Sequence, residues 1–110
     1  MLRASFVLLA AFAALTQACS AVVGDSCEAQ TDCGASMFCE RAMPGGYCTL
    51  KDCVDRGCPE EGVCIVFDPD TSYCMAACER DDDCRNDYIC VDDFGTHPFC
   101  NDERGLTPAQ

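Results

Sequence analysis

Three stretches decide how this chain folds: CEAQTDCGASMFCERAMPGGYC at 27–48, CVDRGCPEEGVCIVFDPDTSYC at 53–74 and CERDDDCRNDYICVDDFGTHPFC at 78–100. Each holds four cysteines. The residues between them number five, five and eight in the first stretch, four, five and nine in the second, and five, five and nine in the third. Four residues part the first set from the second, and three part the second from the third. Self-similarity at a period of about 25 residues marks a repeat array. The flanking residues agree. An apolar residue precedes each third cysteine (Phe38, Val63, Ile89), and an aromatic precedes each fourth (Tyr47, Tyr73, Phe99).

The segment between third and fourth cysteines reads as a hairpin each time. Met37 to Ala42 is a candidate strand, Pro44-Gly45-Gly46 a turn, and Tyr47 to Leu50 the return. Val63 to Phe67 is the most β-prone run after the amino terminus, and Asp68-Pro69-Asp70 turns it back toward Tyr73. Ile89 to Asp92 leads through Gly95 and Pro98 to Phe99. Polar loops or single helical turns fill the space between first and second cysteines. The expected fold is small and disulfide-rich, with three tandem four-cysteine modules at 27–50, 51–76 and 77–101. Each is a loop plus a short β-hairpin, with little regular secondary structure. A lone hairpin is marginal in water, so crosslinks must hold it.

Composition points the same way. The chain has 110 residues, thirteen of them cysteine, with nineteen acidic and seven basic residues and a charge of −12. A multidomain enzyme does not fit in this length. Of the 74 residues from Cys27 to Cys100, only 11 are Leu, Ile, Val or Phe. Burying so few does not offset chain entropy, and small exported domains meet that shortfall with disulfides. The expected core is therefore mainly sulfur. Such an acidic surface repels phosphate backbones and anionic headgroups, which excludes nucleic-acid binding.

The amino terminus reads as an address. Met1-Leu2-Arg3 gives a positive start, and a twelve-residue apolar run (ASFVLLAAFAAL) fills 4–15. This is the layout of a signal peptide at 1–18. A membrane-spanning helix would have to cross Thr16, Gln17 and Ser20. The pentapeptide Leu15-Thr16-Gln17-Ala18-Cys19 resembles a bacterial lipobox, with Thr16 where Leu is usual. That resemblance implies cleavage before Cys19 and diacylglycerol on its sulfur. Ordinary cleavage after Ala18 or Ala21 is the alternative. Thirteen cysteines cannot all pair within one chain, and lipidation of Cys19 leaves an even twelve. Residues 19–26 then form the lipidated cysteine and its linker, and 102–110 a flexible tail.

The spacing resembles the first four cysteines of epidermal growth factor-like modules and the four-cysteine repeats near the start of Dickkopf-type proteins. Predicted lipoproteins of myxobacterium-like species look similar over the whole exported chain. The fifth and sixth cysteines that close an epidermal growth factor-like module are absent here, so the units are truncated or lean on one another. The resemblance implies bonds from first to third and second to fourth cysteine: Cys27–Cys39, Cys33–Cys48, Cys53–Cys64, Cys58–Cys74, Cys78–Cys90 and Cys84–Cys100. Interleaved bonds fasten each leading loop to both strands of its hairpin, whereas the other two pairings nest the bonds or leave loop and hairpin unlinked.

Other chemistries are weakly represented. A zinc site is disfavoured by a single histidine, His97, and by the lack of any C-x-x-C. His97 is also the only imidazole available to a nucleophilic thiol, and it lies in a Gly/Pro-containing loop. Asp68, Asp70, Ser72 and Glu79 fall at calcium-loop spacing, but Tyr73 replaces the required glycine and Cys74 and Cys78 interrupt the loop. Asp81, Asp82 and Asp83, with Asp92 and Asp93, read as solvated acidic faces. No catalytic constellation, metal or cofactor is expected. The expected function is a non-catalytic binding or structural role in an exported lipoprotein. It is held by Cys19 at a bacterial outer membrane and faces a protein or glycan partner. The rival is a freely secreted inhibitor or toxin-like scaffold, with Arg41 and Arg56 as its protease-facing residues.

Overall fold

A computed structural model describes residues 21–103. The signal segment, Cys19 and most of the tail lie outside them. Among the described residues six strands form three antiparallel hairpins: β1 (Phe38–Glu40) with β2 (Tyr47–Thr49), β3 (Gly62–Asp68) with β4 (Thr71–Ala76), and β5 (Tyr88–Val91) with β6 (Phe99–Asp102). The only α-helix among the described residues is one turn, α1 (Cys53–Arg56). Tighter 3-10 turns occupy Gln30–Cys33 and Asp81–Asp83. The protein is thus small and disulfide-rich, and nearly without helix among the described residues.

Strand register explains the crosslinks. Cys39 lies opposite Cys48, Cys64 opposite Cys74, and Cys90 opposite Cys100. Directly opposed residues share a face of the ladder. Each hairpin therefore presents two sulfurs side by side, and the loop before it supplies two more. The bonds are Cys27–Cys39, Cys33–Cys48, Cys53–Cys64, Cys58–Cys74, Cys78–Cys90 and Cys84–Cys100, with Cα separations of 5.4 to 5.9 Å. The first turn needs glycine. Gly46 has φ of 73°, and a Cβ there would collide with the Cys27 carbonyl oxygen.

The residues ahead of each cysteine set are also part of its unit. Gly24 N–H donates to the Cys48 carbonyl (2.9 Å), and Cys48 N–H donates to Asp25 (3.0 Å). Cys74 N–H donates to Leu50 (2.9 Å), and Asp52 N–H to Ser72 (3.0 Å). Ala77 bridges to Phe99, and Cys78 N–H donates to Pro98 (3.2 Å). Each return strand is thereby flanked on its second edge, which hides polar groups that an open hairpin exposes.

Alternation along the strands sends the residue before each fourth cysteine to the opposite face from its sulfur. Tyr47, Tyr73 and Phe99 are 1 %, 0 % and 1 % exposed. They meet Val23, Met43, Ile65, Met75 and Tyr88 in one cluster fed by all three hairpins. Cys27, Cys33, Cys39 and Cys48 form a separate sulfur-lined cluster. The expectation of a mainly sulfur core is corrected here. Sulfur makes up the first unit's own cluster and supplies Cys53, Cys74, Cys78 and Cys100 to the shared one, where aromatic rings and thioethers fill the rest. A count of Leu, Ile, Val and Phe omits the Tyr and Met side chains that do this.

Candidate functional site

The hairpins meet at Tyr47. Its hydroxyl accepts from Ala76 N–H (2.8 Å) at the end of β4 and donates to the Cys100 carbonyl (3.3 Å) in β6. Burial pushes this phenol well above its ordinary pKa, so it stays a neutral donor and acceptor. Thr49 adds a second tie, its Oγ1 donating to the Cys74 carbonyl (2.6 Å).

Arg85 closes the junction. Its Nη1 donates to Gly24 O (2.8 Å), and its Nη2 donates to Pro44 O (2.6 Å), to Gly46 O and to Tyr88 Oη (2.9 Å). The guanidinium lies 4.4 Å from the Tyr88 ring centroid and 5.7 Å from that of Tyr47. A planar fork reaches separate carbonyls from two terminal nitrogens, a span that a single ammonium nitrogen does not match. Tyr88 Oη in turn donates to Pro44 O (2.7 Å). A cleft of about 390 Å³ opens beside this junction, lined by Val22, Asp25, Glu61, Asp83, Arg85 and Tyr88 among others.

The acidic loops do internal work. Asp32 Oδ2 accepts from Glu28 and Ala29 N–H (both 2.9 Å), and Asp83 Oδ2 accepts from Glu79 (2.9 Å) and Arg80 (3.2 Å). Each aspartate directly precedes a second cysteine and gathers the backbone of its leading loop. Three residues after the first cysteine another match appears. Gln30 exchanges two hydrogen bonds with the Cys39 backbone (both 3.0 Å), and Asp81 Oδ1 accepts from Cys90 N–H (2.9 Å). The backbone donors hold both the Asp32 and the Asp83 carboxyl below the ordinary 3.8, those of Glu28 and Glu79 acting first. A lowered folded-state pKa stabilises above the unfolded value, and that contribution is lost as pH falls through the folded one. Amide exchange at Glu28, Ala29, Glu79 and Arg80 should therefore accelerate below about pH 3.8. Substitution Asp83→Ala should remove the pH step at Glu79 and Arg80 alone; protection unchanged in that variant would refute the cap.

The other sequence candidates are dispersed. His97 is exposed, and its Nδ1 lies 2.8 Å from the adjacent Pro98 carbonyl. All twelve cysteines among the described residues are in disulfides, so no described thiol is available to it. The sulfurs of Cys27, Cys33 and Cys39 lie within 4.8 Å of one another, as do those of Cys53, Cys58 and Cys64 and of Cys78, Cys84 and Cys100. Stacked disulfides create that closeness, and a bonded sulfur has no thiolate to give a metal. The calcium-spaced set does not converge. Asp68 caps its own turn through Asp70 N–H (2.9 Å), buried Ser72 accepts from Cys53 N–H (3.1 Å), and Glu79 lies beyond the extended β4. Asp92 and Asp93 are exposed. Arg41 is exposed after β1, and Arg56 turns its Nη2 back to the Lys51 carbonyl (2.7 Å).

Arg85 belongs to no repeated position, so cysteine spacing gives no sign of it. The aromatic before each fourth cysteine was the available signal for the junction. The chain matches no protein-family model, no curated protein and no solved structure.

Proposed function

We propose that this is an exported lipoprotein, anchored through diacylglycerol on Cys19 to the outer membrane of a bacterial cell. Its role is non-catalytic: cysteine-tied loops are presented to a protein or glycan partner outside the cytoplasm. The supporting observation is parity. Twelve of thirteen cysteines close within the chain, which leaves Cys19 as the odd one, set after a lipobox-like pentapeptide. Preorganised loops suit binding, because little ordering cost falls on the complex. The resemblance to epidermal growth factor-like spacing belongs to the same proposal.

The anchor would be short. Val23 is buried and Gly24 is bonded to Cys48, so the body begins four residues after Cys19. Four residues reach at most about 14 Å, which keeps the fold close against the lipid surface. Stable attachment takes more than one acyl chain, and a triacylated cysteine supplies three. Metabolic labelling with an alkyne palmitate tests the anchor. Label is expected on the wild-type protein and absent from Cys19→Ala. An unlabelled wild type, or label surviving the substitution, would overturn it.

A further inference from the structure

The two most exposed large apolar side chains among the described residues are Val54, at 67 %, and Val66, at 48 %. Both line one groove of about 170 Å³ between α1 and the β3–β4 turn. Pro69 adds apolar surface there, and Asp52, Asp55, Asp68 and Asp70 supply carboxylates. The walls are fixed. Asp52 N–H donates to Ser72 O (3.0 Å), Asp68 Oδ1 holds Asp70 N–H (2.9 Å), and Cys53–Cys64 ties α1 to β3.

Neither nearby cation is paired with these carboxylates. Arg56 donates to the Lys51 carbonyl (2.7 Å), and the Lys51 ammonium sits 5.7 Å from the Tyr73 ring centroid. Among the described residues no ion pair neutralises the four aspartates. The groove therefore combines solvated valines with a concentrated negative field. It is smaller than the roughly 300–1,000 Å³ of pockets that enclose small-molecule ligands. One aliphatic side chain fills it. A free cation would leave the valines wet, and an acidic or neutral segment would gain nothing from the carboxylates.

We propose that this groove docks a segment of a partner protein that carries an aliphatic side chain flanked by Lys or Arg. The proposal rests on the binding role above and names the chemistry of its partner. The carboxylates steer the basic segment in, and the aliphatic side chain covers Val54 and Val66.

The test is an amide chemical-shift titration of the isotopically labelled, oxidised protein with acetyl-Gly-Leu-Lys-Val-Arg-Gly-amide. One control peptide replaces Leu and Val by Ser, and a second replaces Lys and Arg by Glu. Shifts are expected at 52–56 and 66–72 with the first peptide alone, with a Kd on the order of 1 mM. Val66→Ser, or Asp55→Asn with Asp68→Asn, should weaken binding about tenfold while shifts elsewhere in the spectrum stay those of the folded protein. Equal binding of the serine control would reduce the effect to diffuse attraction and overturn the proposal. Shifts centred on another surface would also overturn this site, yet they would leave the binding role standing. No shift with any peptide would remove the groove as a docking point.

Discussion

Full reduction of the six disulfides is expected to unfold the chain after Cys19 completely. The bonds close segments with sequence separations of 11 to 16 residues. On the chain-entropy account a loop of that size contributes about 3 kcal/mol, and whole domains are stable by only about 5–15 kcal/mol. Such contributions do not add strictly, but the loss of all six, nominally about 18 kcal/mol, exceeds that total. The buried cluster of Tyr, Met, Ile and Phe does not change the outcome, because it exists only where hairpins are already formed. β1 and β2 have three residues each, too short to pair unaided in water. The measurement is amide dispersion by NMR with and without a phosphine reductant. Collapse of the spectrum to random-coil shifts is the expected result, and a reduced sample with dispersed resonances would refute the role given to sulfur. A narrower version uses Cys33→Ala with Cys48→Ala. It should cost about 2–5 kcal/mol and loosen β1–β2 first.

Cysteine arithmetic made the hairpins legible because a hairpin needs little else: a turn, two strands and crosslinks. Pro44-Gly45-Gly46 and Asp68-Pro69-Asp70 announced their turns by composition. The packing between hairpins was not legible in the same way. Tyr47, Tyr73 and Phe99 recur at one position, and period-two alternation puts that position opposite the sulfur face. The recurrence was visible in the sequence. Its consequence, three rings joining one buried cluster, depends on how the hairpins stack, and no local pattern encodes that. Val22 to Asp25 shows the same limit. It reads as spacer by sequence, yet Val23 is buried and Gly24 and Asp25 pair with Cys48. The acidic loops show a third kind of gap. Asp83 reads as a member of a solvated charge run and Asp32 as an ordinary loop residue, and only backbone geometry reveals that each collects two N–H groups. For the groove, Val54 and Val66 gave no sequence signal, because an exposed valine and a buried one are spelled alike.

Substitution Arg85→Ala is expected to destabilise the oxidised protein by about 3–5 kcal/mol, a large effect for one half-buried side chain. The guanidinium donates to Gly24, Pro44 and Gly46 carbonyls and to Tyr88 Oη. Hydrogen bonds from a charged donor contribute about 1.5–3 kcal/mol each, and stranded buried acceptors add a desolvation cost. The stacking on Tyr88 is lost as well. Arg85→Lys should recover only part of this, since one ammonium does not reach carbonyls that the planar fork serves together. The damage should be localised. Disulfides keep every hairpin closed, so β3–β4, the longest ladder, should retain its exchange protection. The amides of Gly24 and Cys48, which pair the amino-terminal segment to β2, should lose theirs. Denaturant unfolding of the oxidised protein gives the magnitude, and residue-resolved hydrogen exchange gives the location. A variant within about 0.5 kcal/mol of wild type would mean that the disulfides alone hold the units together. Global loss of protection would mean that the three hairpins unfold as one cooperative body, with Arg85 at its centre rather than at one seam.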